Sequence, residues 1–76
     1  FGIDGEDLAV TAVRQSLDGQ AIIVRLVNLT SRTAECGFTY EGEIFETRLD
    51  ESTVTYLGAG SVRLLFRPKQ IITLRI

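Results

Sequence analysis

The stretch Ala34-Glu35-Cys36-Gly37-Phe38-Thr39-Tyr40 alternates residue by residue. Ala34, Cys36, Phe38 and Tyr40 fall on one side, and Glu35, Gly37 and Thr39 on the other. Side chains repeat every second residue only in an extended strand, so this pattern predicts a β-strand with one buried face. The next two residues, Glu41-Gly42, predict a hairpin turn.

Further runs read the same way. In Ser61–Arg67, Val62, Leu64 and Phe66 face inward while Arg63 and Arg67 face outward. In Ala21–Asn28, Ile22, Val24 and Leu26 share a face, and Ile23 and Val27 flank Arg25 on the other. Leu8–Gln15 places Leu8, Val10 and Ala12 opposite Ala9, Thr11 and Val13. Glu43–Asp50, the short Thr53–Leu57 and Gln70–Ile76 complete the set. Asp18-Gly19 predicts a tight turn, because Gly tolerates positive φ. Gly58-Ala59-Gly60 predicts a break, and Pro68 a strand end. No window holds a helical apolar period. Strands every 8–12 residues predict an all-β fold: a small antiparallel β-sandwich, immunoglobulin-like, of about six to seven strands. Residues 1–7, with two glycines and three acids, read as a linker, and residues 8–76 as a single domain. Leu26 and Phe66 are expected in the core.

Seventy-six residues allow one domain with a thin core, burying about 60% of the unfolded surface. The 45% hydrophobic content supplies that core. Cys36 is the only cysteine and there is no His, so neither a disulfide nor a structural zinc site is expected within the chain. The single thiol points to a reducing compartment, and the expected location is cytoplasmic. The net charge of −2, with scattered Arg residues, argues against nucleic acid as a partner. No apolar run is long enough to form a membrane-spanning helix.

Chemistry-bearing residues are sparse. The ten acids fall in turns or on outward faces, with no sign of the buried carboxylate that general acid catalysis needs. Cys36, without a basic partner, reads as a small core residue. Asn28-Leu29-Thr30 matches the glycosylation pattern, but Asn28 reads better as the start of an Asx-type turn. Tyr40, Phe45 and Tyr56 are the aromatics with some exposure. Without Trp they make a poor sugar platform. The expectation is therefore no catalytic and no metal-binding residue, with substrate contacts unassigned. Apolar residues on faces read as solvent-facing, namely Val13, Ile23, Val27, Leu65 and Ile71, suggest a docking face.

Several segments, in this order, resemble the C-terminal β-domain of glycoside hydrolase family 38, the α-mannosidases. They are Val10–Ser16, Asp18-Gly19, Arg25–Thr30, Ile44–Glu51 and Phe66–Ile76, and the resemblance spans about Leu8 to Ile76. Members of that family are retaining enzymes with a zinc ion and an Asp nucleophile in an N-terminal domain. None of those residues maps onto this chain. The resemblance implies a non-catalytic closing domain, a fragment of a larger enzyme, with zinc held in the parent and upstream domains as partners. Self-association is possible when the domain stands alone. A free-standing immunoglobulin-like interaction module is the alternative.

Overall fold

The computed structural model describes all residues, Phe1–Ile76. Six strands and no helix make up the fold, so no helix is long and apolar enough to cross a membrane. The strands are β1 (Gly2–Asp4), β2 (Leu8–Gln15), β3 (Ile22–Asn28), β4 (Ala34–Thr47), β5 (Val54–Phe66) and β6 (Ile71–Arg75). All pairings are antiparallel, in the order β1-β4-β6-β3-β2, with β5 on β4.

The long strands β4 and β5 turn this one sheet into a sandwich. The first part of β4 pairs with β1 through Thr39↔Gly2, and its last residues pair with β6 through Phe45↔Arg75. Strand β5 follows β4 throughout. The register slips between Tyr40 and Glu43, where β4 carries Glu41 and Gly42 as two extra residues. It slips again between Ile44 and Phe45, where Leu57 is extra on β5. Such bulges bend a strand and sharpen its twist. Both strands therefore pass from one layer to the other without stopping. Glu41-Gly42 is thus a bend inside one strand and not the predicted hairpin turn, and Gly58–Gly60 bends β5 and does not end it. Gly60 has φ +80°, which a side chain would make costly. The true turn between β4 and β5 lies at 48–53.

Between the layers sits a cluster of Val24, Leu26, Cys36, Phe38, Ile44, Leu64, Phe66, Ile72 and Leu74. Leu26 and Phe66 are fully buried, as their strand phase predicts, and truncating either to Ala would cost about 2–5 kcal/mol. Gly2–Asp4, read from sequence as linker, forms β1. Phe1 then stacks on Phe38, with ring centroids 5.3 Å apart. Gly5 follows β1 where a Cβ would come within 2.7 Å of the Cys36 Cβ, so the chain lies directly against β4.

Strand β2 holds a third irregularity. Its register shifts between Val10 and Ala12, leaving Thr11 unpaired. Directly opposed residues share a face. Val10 opposes Leu26 and Val13 opposes Val24, so both stand on the core side, and Ala12 opposes Arg25 on the outer side.

Candidate functional site

The five positions expected to form one docking face do not share one. Val13 is on the core side of β2, moved there by the bulge. Leu65 alternates with the core residues Leu64 and Phe66 and faces out from β5, in the other layer. Val27 and Ile71 are cross-strand neighbours on the outer side of β3 and β6. Ile23 shares that outer side but is 0% exposed.

Salt bridges explain the burial of Ile23. It lies in register between Arg14 of β2 and Arg75 of β6. Arg14 Nη2 stands 2.9 Å from Glu51 Oε2, and the Glu51 side chain is only 7% exposed. Glu51 Oε1 also accepts from the Leu17 N–H at 3.0 Å. Arg75 Nη2 donates to Asp18 Oδ2 at 3.0 Å. The β4–β5 turn and the β2–β3 loop are thereby drawn over the outer face of β3, and Ile23 is sealed beneath them. Three buried side-chain polar atoms lack a hydrogen bond: Arg25 Nε, Thr47 Oγ1 and Glu51 Oε2. Arg25 and Thr47 both oppose Thr73 on this same outer side. Glu51 Oε2 is close enough to Arg14 for an ion pair but lacks hydrogen-bond alignment.

Glu51 is the one carboxylate with a buried side chain among the ion-paired acids, and sequence reading missed it. Its partner Arg14 lies far away in sequence, and a turn acid gives no local sign of burial. The other ion-paired acids, Asp7, Asp18 and Glu35, are about half exposed. Asp18 is nonetheless held at a pKa of about 2. The Ser16 hydroxyl donates to it, the Gln20 N–H adds a second bond, and Arg75 contributes a third. Ser52 similarly holds Asp50 below its usual value. Glu35 is tied to Arg63, whose pKa it raises.

Cys36 is fully buried, and desolvation raises its thiol pKa, which suits a core residue and not a nucleophile. No group of three or more Cys, Asp or Glu side chains is arranged to hold a metal ion. Phe45 and Tyr56 meet edge to face, with centroids 5.5 Å apart. They do not offer two coplanar rings to a sugar. A shallow depression of about 460 Å³ is lined by Phe1, Gly2, Thr39, Tyr40, Glu41 and Gly60, with Glu41 its only charged side chain.

Asn28 works as a structural clamp. Fully buried, its Nδ2 donates to the carbonyls of Arg32 (2.6 Å) and Arg67 (3.1 Å), while Oδ1 accepts from the Thr30 N–H (2.9 Å) and hydroxyl (2.8 Å). The Asx-turn reading holds, and the amide that a glycan would need is fully engaged.

The family described as glycosyl hydrolases family 38 C-terminal beta sandwich domain matches residues 7–74. A protein of Halalkalibacterium halodurans named "Putative mannosylglycerate hydrolase" is 32% identical over 78 residues, covering 99% of this chain. The chain spans 9% of that relative's length. No solved structure matches.

Proposed function

The chain belongs to the glycosyl hydrolase family 38 C-terminal beta sandwich domains, and from that membership we propose that it is the closing β-domain of a larger glycoside hydrolase. In this reading the domain has no catalytic group of its own and serves domain packing. The family match across 68 of 76 residues (7 through 74) carries the proposal. The parent enzyme performs retaining, zinc-dependent hydrolysis of mannosides in its upstream domains. The relative's name points to a mannosyl conjugate of glycerate as the substrate class. The residues of this domain do not fit zinc: it has no His, and its one thiol is buried in the core. The metal therefore belongs to the upstream part. The unpaired buried thiol supports a cytoplasmic location.

The test is hydrolysis of an aryl α-mannoside and of mannosylglycerate by the full-length polypeptide and by the 76-residue chain alone. The full-length protein should hydrolyse a mannoside and lose that activity on chelation, and the short chain should be inert. Turnover by the short chain would overturn the reading. So would a reading frame whose other domains contain no hydrolase, which would favour the interaction module.

A further inference from the structure

We propose that the β4–β5 turn, residues 48–53, is a strap that opens away from the outer face as a unit while the sheet beneath it stays folded, uncovering Arg25, Thr47 and Thr73.

The path of the strap follows from one contact. It leaves β4 at Thr47, and its Glu51 reaches Arg14 on β2. Strands β6 and β3 lie between β4 and β2 in the sheet. The turn therefore crosses the outer side of both. There β3 presents Ile23 and Arg25, and β6 presents Thr73 and Arg75. Thr73 is 3% exposed and Thr47 7%, although both point away from the core between the layers.

Little holds the strap down. Its two polar contacts with the rest of the chain are the ion pair to Arg14 and the bond from the Leu17 N–H, and both use the Glu51 carboxylate. The other hydrogen bonds of the turn, from the Glu51 N–H to the Arg48 carbonyl and from the Ser52 N–H to Asp50 Oδ1, stay within it. Leu49, its one apolar side chain, is 56% exposed and anchors little.

Closure has costs on the same side. Arg25 Nε, Thr47 Oγ1 and Glu51 Oε2 are buried without a hydrogen bond, and such groups lose the water they would bind when exposed. Glu51 also holds φ +63°, a left-handed backbone that a residue with a Cβ adopts at a cost. The burial of Ile23 and the pair with Arg14 favour the closed form. Opening rehydrates three polar groups, exposes one apolar side chain and breaks no strand pairing. Segments of that kind occupy the low end of a protein's local stabilities. Arg25 takes part in none of the chain's four ion pairs, so the open strap presents a free guanidinium beside two hydroxyls.

Hydrogen–deuterium exchange on the full-length polypeptide, resolved to single amides, tests this. The Leu17 N–H is bonded to Glu51 and reports the strap. The Gln20 and Ala21 N–H groups are bonded to Asp18 and Ser16 inside the β2–β3 loop and report that loop. Leu17 should exchange about tenfold or more faster than Gln20 and Ala21, and faster still than the amides of β3. Thr47→Val keeps the side-chain shape and removes one orphaned hydroxyl, so it should slow Leu17 about threefold or more and leave Gln20 and Ala21 unchanged. Leu17 exchanging together with Gln20 and Ala21 overturns the proposal, because the loop then moves and not the strap. Leu17 exchange as slow as that of β3 overturns it too. So does Leu17 exchange that is not slowed in a folded Thr47→Val variant, because burying the hydroxyl then costs closure nothing. If that variant does not fold, the wild-type comparison of Leu17 with Gln20, Ala21 and β3 decides.

Discussion

Glu51 of the β4–β5 turn and Arg14 of β2 form an ion pair at 2.9 Å on the side of the sheet turned away from the core. The pair fastens the turn over Ile23 and gives this small domain a second buried layer outside its main cluster.

Replacing Glu51 with Ala should therefore destabilise the chain by about 1–3 kcal/mol, more than an exposed ion pair and less than a fully buried one. Arg14 is 38% exposed and can rehydrate, which limits the loss. Glu51→Gln should lie between, since its amide oxygen can still accept from the Leu17 N–H. Urea unfolding of the three proteins gives the ranking. An unchanged midpoint for Glu51→Ala would mean that the turn does not seal Ile23.

Glycines 5 and 37 should respond to Ala in opposite directions. At Gly5 the added Cβ would stand 2.7 Å from Cys36 Cβ and 3.0 Å from the Glu35 carbonyl oxygen. Neither atom is the end of a flexible side chain, so the strand must move, at a cost of about 1–3 kcal/mol. At Gly37 the nearest atom is Arg63 Nη1 at 3.5 Å, an ordinary contact. There the reduced freedom of the unfolded chain should make Ala neutral or stabilising by up to about 1 kcal/mol. Thermal melts of both variants decide it.

The alternation of Ala34–Tyr40 and of Ser61–Phe66 revealed the core correctly, because each run lies in one layer and keeps one phase. The bends were not legible. A Gly pair in a bulge and a Gly pair in a hairpin meet the same steric need, so Glu41-Gly42 reads as a turn although β4 runs through it. The Thr11 bulge has no Gly to mark it, and that single shift reversed the side assigned to Val13. Ile23 was misjudged for a different reason. Its cover comes from Arg14, Arg75 and Glu51, which meet only once the sheet has formed. The clamp at Asn28 was legible because its Asx turn is local, but its bond to the Arg67 carbonyl was not.

Asn28→Asp should be more damaging than its size suggests. The acceptor side survives, so the Thr30 N–H keeps its partner. The donor side is lost, and a carboxylate oxygen would then face the Arg32 and Arg67 carbonyls in a fully buried position. Each unsatisfied group costs about 1–3 kcal/mol, so a loss of about 2–5 kcal/mol is expected at neutral pH. Protonating the new acid returns one donor, so the deficit should shrink on acidification. A deficit that stays constant from pH 7 to 4 would contradict the proposed geometry.

Asp18 links the fold to acid stability. Its pKa falls from 3.8 to about 2, first through the Ser16 hydroxyl, then the Gln20 N–H and Arg75. A carboxylate with a depressed pKa binds protons more readily in the unfolded chain. Its stabilisation is therefore complete above the unfolded value near 3.8 and is lost as the pH falls through about 2. Asp18→Asn removes this titration. It should lower the melting temperature at pH 7, where the charged contacts to Ser16 and Arg75 are at full strength. It should also make the decline between pH 4 and pH 2 shallower than in the wild type, so that the two melting curves converge at the acid end. Asp50, held low by Ser52, still titrates in both proteins and supplies a common background slope. Parallel curves across that window would show that Asp18 gains nothing from its partners on folding.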